Sequence, residues 1–192
     1  LLVEPRAHFL VSMNHNMGLL AEKLEDAGFI VRKRLDKQRK NILKLYVSNR
    51  ETEIKVEPNM VLRGVVYGTE SRVLVDTAKK RFMQSQKVNM VSLADLYAGK
   101  ICAAVDRQHP RDLFDIKLLL ENEGISEKIR KAFIVYLASG PRPMFELLNP
   151  HRLDMHQVYE REFLGMTALD VSYRELELVR DKLLKILHSQ IT

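Results

Sequence analysis

A single cysteine, Cys102, in a chain of 192 residues excludes an internal disulfide and a multi-cysteine zinc cluster. There is no tryptophan, and basic residues do not interleave with aromatic ones as they do in RNA-recognition sheets, so sequence-specific base readout gains no support. A glycine-rich phosphate loop is also missing. No apolar run approaches the ~18 residues that a membrane span requires, and the N-terminus lacks the charged-then-apolar order of a signal peptide. The six histidines form no pair at metal-ligand spacing on a shared helix face; His151 and His156 come nearest. These absences lead to the expectation of a soluble protein of the reducing cytoplasm with no membrane partner.

What is present points to a folded chain. Hydrophobic residues make up 46% of it, enough to bury a substantial core in one domain or two closely packed ones. The formal net charge of +6 favours an anionic partner such as a nucleotide, RNA or an acidic protein surface. Its densest basic run is Arg32, Lys33, Arg34, Lys37, Arg39, Lys40 and Lys44, which reads either as a phosphate-tracking surface or as a solvated hairpin.

Periodicity supplies the elements. The first residues, Leu1 to Pro5, read as the end of a strand rather than a natural start. Met17, Leu20, Ala21, Leu24 and Ala27 make an amphipathic helix that Gly28 stops. Phe29 to Leu35, Ile42 to Ser48 and Thr52 to Pro58 then read as three strands of a meander. Between Met60 and Val91 lie short apolar pieces at Val61 to Tyr67 and Val73 to Val75, and a helix around Asp76 to Phe82. From Ser92 onward the pattern is helical, with starts at Ser92, at Pro110, at Ser126 and at Ser172.

In Glu53-Ile54-Lys55-Val56-Glu57 strict alternation puts the three charges on one side of a strand and the two apolar residues on the other. Three readings stay open. One is an exposed sheet face with cross-strand ion pairs. Another is a nuclease-like Glu53-x-Lys55 pair serving a metal ion and phosphate. The third is a nucleotidyltransferase-like strand that offers Glu57 to a two-metal site.

Lys100 is the most informative residue. Leu93, Leu96, Tyr97, Ile101, Ala104 and Val105 recur at helical spacing, and Lys100 falls within their stripe. A lysine there is buried or reaches into a site, and burial demands a carboxylate partner. Asp112 and Asp115, at the start of the next helix, are the candidates. Glu57, Lys55, Lys100, Arg111 and Asp112 are expected to line one cleft between sheet and helices. Cys102 is expected on the polar side of the Lys100 helix.

The segment from Ser92 through Lys100 to Arg107, followed by Arg111-Asp112-Leu113-Phe114-Asp115-Ile116, resembles the Lys and Arg-Asp-x-x-Asp motifs of the AbiEii/AbiGii nucleotidyltransferase-like toxin family. Upstream, Ile54-Lys55-Val56-Glu57 is similar to that family's strand motif. The resemblance implies an α+β fold, with a partial nucleotidyltransferase-like mixed sheet and helices over residues 1–91 and a helical domain over 92–192. It also implies a toxin of a toxin–antitoxin, phage-defence system that transfers a nucleotide from a nucleoside triphosphate to an RNA or protein acceptor, beside a cognate antitoxin.

By motif position, Glu57 would be the third acidic residue and a Mg²⁺ ligand, and Lys100 would meet nucleotide phosphate. Asp112 and Asp115 would serve the final motif, with Lys55 and Arg111 binding the nucleotide. Family members begin with a Gly-Ser or Gly-Gly segment and an Asp-x-Asp pair carrying the principal Mg²⁺ ligands. Neither occurs before Glu4, so these ligands are expected upstream of Leu1, and the chain as it stands is expected to be inactive as a transferase. Gly99 replaces the family's usual glutamate before the lysine. Two rivals remain, a non-catalytic RNA- or protein-binding module and a metal-dependent nuclease.

Overall fold

The computed structural model describes residues 5–38, 40–58 and 64–191. The expectations for residues 1–4, for Arg39 and for the 61–63 part of the apolar piece lie outside them. The chain divides into two compact units, Leu1–Gly64 and Val65–Thr192.

The first unit is a helix on a meander. Helix α1 (Arg6–Asp26) begins directly after Pro5 and extends the expected helix by three turns at its start. Gly28, at φ 87°, turns the chain in the left-handed region, and Phe29 N–H closes on the Leu24 carbonyl at 3.0 Å. Strands β1 (Ile30–Leu35), β2 (Ile42–Ser48) and β3 (Glu53–Val56) follow as an antiparallel sheet in the order β1-β2-β3. Asn14 Oδ1 of α1 accepts the Ile42 N–H at 2.9 Å, which anchors the start of β2. Met13, Met17 and Ala21 of the helix pack on Ile42, Leu45 and Val47 of the central strand.

Pairing register fixes the other face. Arg32 lies opposite Tyr46, and Tyr46 opposite Lys55; Ser48 pairs with both Ile30 and Glu53. Because side chains of paired residues share a face, Arg32, Tyr46, Lys55, Ser48 and Glu53 stand on the side away from Leu45 and Val47. The alternation read in residues 53–57 therefore holds.

The second unit opens with an antiparallel hairpin, β4 (Thr69–Val73) and β5 (Lys87–Val91), whose connection carries α2 (Asp76–Phe82). Helices α3 (Leu93–Arg107), α4 (Pro110–Asn122), α5 (Glu127–Ala138), α6 (Met144–Leu148) and α7 (His156–Val158) come next. A single π-helical turn, Tyr159–Phe163, continues α7, and α8 (Tyr173–Ile191) ends the unit. Ser92 and Ser126 cap α3 and α5 through their side chains, and His109 caps α4 in front of Pro110. One core joins these helices, with Ile101, Leu113, Ile116, Phe133, Leu176 and Leu183 fully or almost fully buried. No helix among the described residues is long and apolar enough to cross a membrane.

The architecture is α+β, as expected, and every strand pairing among the described residues is antiparallel. The division falls at Gly64/Val65, whereas the sequence expectation put it between residues 91 and 92. Hydrogen bonds account for this difference. Val66 and Tyr67 donate their backbone N–H groups to Asp95, and Ser92 donates its own to the Gly68 carbonyl, so residues 65–91 are tied to α3.

Between α3 and α4 the chain turns through Gln108, a non-glycine residue at φ 49°. Its side chain is buried, donating Nε2–H to the His151 carbonyl at 2.7 Å and accepting from Arg180 Nη1 of α8 at 3.0 Å. Arg180 is itself 3% exposed and also donates to the Leu153 carbonyl at 2.9 Å. A buried pair of this kind holds a strained turn that the backbone alone disfavours.

Candidate active site

On the strand side Glu57 follows directly after β3. Its carboxylate takes Lys44 on one oxygen and Lys55 on the other, the latter at 3.1 Å. The hydrogen bond from Lys44, then that from Lys55, holds the Glu57 carboxyl below the usual carboxylate range. Glu57 is therefore an exposed, ionised group at neutral pH with two ammonium groups beside it. Glu53 pairs with Arg32 at 2.9 Å, and that guanidinium lies 4.9 Å from the centre of the Tyr46 ring. Glu53 and Lys55 of the nuclease-like pattern thus take different partners, and cross-strand ion pairs of the exposed-face kind form instead.

On the helix side Lys100 of α3 meets Asp115 of α4 at 2.5 Å, both side chains about one-third exposed. Of the two expectations for Lys100, burial or reaching into a site, burial is not met. The buried stripe of α3 runs through Ala94, Ala98, Ile101, Ala104 and Val105, and Lys100 sits at its edge. Of its two candidate partners, Asp115 is the one it takes. Asp112 is instead gripped by Arg107 across the α3–α4 turn, with Nε at 3.0 Å and Nη2 at 2.6 Å from its two oxygens. Arg111 points to the π-helical turn. Its Nε and Nη2 donate to the Glu162 carbonyl at 3.1 and 3.0 Å, filling one of the acceptors that a helix end leaves open.

The structure therefore brings Lys55 together with Glu57 in the first unit, and Lys100 together with Asp115 in the second. It does not pair Lys100 with Asp112, and Arg111 neighbours the Glu162 carbonyl rather than either aspartate. Sequence reasoning missed Lys44 as the partner of Glu57, although the strand register carried the signal: Leu45 opposes Val56, so the next step along each strand brings residues 44 and 57 together. It also missed Arg107, five residues from Asp112 across a turn that periodicity does not describe.

The larger omission is Asp95. Its backbone N–H is capped by Ser92, and its side chain, in a residue 2% exposed, accepts four further hydrogen bonds. These come from Val66 N–H at 2.7 Å, Tyr67 N–H at 2.9 Å, Ser92 Oγ at 2.7 Å and Tyr136 OH at 2.6 Å. Burial pushes its carboxyl up, but the bonds from Tyr136, Val66, Ser92 and Tyr67 outweigh that and hold it below the usual range. Burial and the bond to Asp95 in turn push the Tyr136 hydroxyl well above its ordinary value.

Cys102 packs against the helical core rather than projecting from a polar face, a second correction. Burial, with Asp106 nearby, pushes its thiol up to about 12. Alkylation by iodoacetamide at pH 8 is expected to run roughly fortyfold slower than for free cysteine, since the scarcer thiolate is only partly offset by its greater nucleophilicity. Mass spectrometry of the time course checks this, and labelling at the free-cysteine rate would contradict the burial.

Mg²⁺ asks for several hard oxygen ligands in octahedral array. Glu57 is one carboxylate with two ammonium groups against it, and no three His, Cys, Asp or Glu side chains come together to hold a metal among the described residues. These residues by themselves do not fit the ion.

A family model described as nucleotidyl transferase AbiEii toxin, type IV TA system, matches residues 1–182. No curated protein and no solved structure matches the chain.

Proposed function

The chain belongs to the AbiEii nucleotidyl transferase toxin family of type IV toxin–antitoxin systems, and on that premise we propose that it serves transfer of a nucleotide from a nucleoside triphosphate to an RNA or protein acceptor. The observation that supports this reading most is the Lys100–Asp115 pair, about one-third exposed on the two helices that carry the family's ordered motifs. In the reaction an acceptor oxygen forms a bond to the α-phosphorus, and the bond to the departing pyrophosphate breaks. Lys100 neutralises charge on the leaving phosphates, and Asp115 holds its ammonium in place. Glu57 contributes the strand carboxylate, while Lys55 and Arg111 contact the nucleotide. Asp112, oriented by Arg107, is the positioning group or base for the acceptor hydroxyl. A cognate antitoxin is the expected protein partner, and the cytoplasm the expected compartment.

One observation favours a second reading, a non-catalytic RNA- or protein-binding module. Each of Glu57, Asp112 and Asp115 already has a cationic partner within the chain. The deciding experiment is transfer of label from each radiolabelled nucleoside triphosphate, with Mg²⁺, to total RNA by the native full-length protein. Glu57→Ala and Lys100→Ala are each expected to lower label by about a hundredfold, the usual effect of deleting one electrostatic contact to a transferring group. No label with any of the four nucleotides would leave the binding module as the better reading.

A further inference from the structure

The hairpin and helix of residues 69–91 bury almost nothing. α2 has no buried residue, and Val73, Val75, Phe82, Met83 and Val88 are 50%, 70%, 63%, 91% and 49% exposed. Met83 ends α2 at φ 50°, left-handed backbone that presents its side chain to solvent. A two-stranded hairpin with no buried residue is marginal in water, and Val75, Phe82 and Met83, at the two ends of the short helix α2, are exposed apolar side chains that a partner can cover.

Charge narrows what that molecule is. Residues 69–91 hold five cations, Arg72, Lys79, Lys80, Arg81 and Lys87, against Glu70 and Asp76, which amounts to half of the chain's net +6. Glu70 pairs with Arg72 and Asp76 with Lys79. Lys80, Arg81 and Lys87 make no ion pair among the described residues. A second copy of this surface is disfavoured by its own charge. RNA is disfavoured by the apolar set, which offers one aromatic ring for stacking and four aliphatic side chains that do nothing for a base.

We propose that the β4–α2–β5 segment is a docking surface for an acidic, amphipathic segment of another protein. Carboxylates of that segment meet Lys80, Arg81 and Lys87, and its apolar side chains cover Val75, Phe82 and Met83. This stands independently of the transferase reading.

Fluorescence anisotropy with the full chain tests it, using three labelled probes of equal length: a peptide of alternating glutamate and leucine pairs, polyglutamate, and single-stranded RNA. The amphipathic peptide is expected to bind at least tenfold tighter than polyglutamate. Its affinity is expected to fall about tenfold in Arg81→Glu/Lys87→Glu and about tenfold in Phe82→Ser/Met83→Ser, as loss of interface anchors does. All four positions are exposed, so melting temperatures should match the parent, and circular dichroism verifies it. The proposal is overturned if no peptide binds or if the variants leave its affinity unchanged. Polyglutamate binding as tightly as the amphipathic peptide, or RNA binding tighter than either with the same dependence on the four residues, overturns it as well.

Discussion

Asp95→Ala is expected to lower the stability of the 65–192 unit by about 4 kcal/mol, because it strands two backbone N–H groups and two hydroxyls around a buried site. In thermal unfolding that is a fall of about 10 °C for a chain of this size. Asp95 is 2% exposed, so water does not replace the lost acceptor without opening the structure. Asp95→Asn keeps one acceptor and is expected to lose about half as much. The pH dependence gives a further check. The Asp95 carboxyl lies below its ordinary value in the folded chain, so its stabilisation is complete above the unfolded value near 4 and is lost as pH falls through the folded value. The gap in melting temperature between parent and Asp95→Asn should therefore be widest near pH 7 and narrow towards pH 3. A gap that stays constant over that range would remove the charge from the account.

Phe133→Ala is expected to cost about 4 kcal/mol in urea unfolding, the sum of lost transfer energy and an unfilled cavity. Phe133 of α5 is wholly buried in the cluster that also holds Ile101, Leu113 and Leu137. α5 packs along α3 and against α6 in this close-packed core, so little collapse is available to shrink the void. Phe133→Leu keeps most of the volume and is expected to cost roughly 1.5 kcal/mol. Equal losses in the two variants would show that the site relaxes around whatever occupies it.

Much of the fold was legible because punctuation and pattern agree. β2 (Ile42–Ser48) and α2 (Asp76–Phe82) match their sequence bounds. For β2, the polar stretches on either side limit the strand, and Asn49 Oδ1 accepts the N–H groups of Glu51 and Thr52. β5 (Lys87–Val91) was not legible, since Lys87, Val88 and Asn89 are all exposed and no alternation between buried and solvent faces marks the strand. The site was legible in part. Helical spacing placed Lys100 correctly on α3, but periodicity gives a residue's angle around the axis and not the width of the buried stripe, and Lys100 lies just outside that width. Asp95 shows the converse. Its three-residue spacing from Ser92 satisfies a cap and so explains the aspartate fully in local terms, while its partners at Val66, Tyr67 and Tyr136 are 28 to 41 residues away. No local pattern carries such contacts.

The Gln108–Arg180 contact has a consequence for the order in which this protein is made. The turn that aims α4, and with it Asp112 and Asp115, depends on a side chain 72 residues further along. A nascent chain at the ribosome that has released α3 and α4 but not α8 holds both motif helices without the hydrogen bond that locks the turn between them. Domains assemble as units once their last elements emerge, so the geometry of the motif arrives only after α8 has left the ribosome.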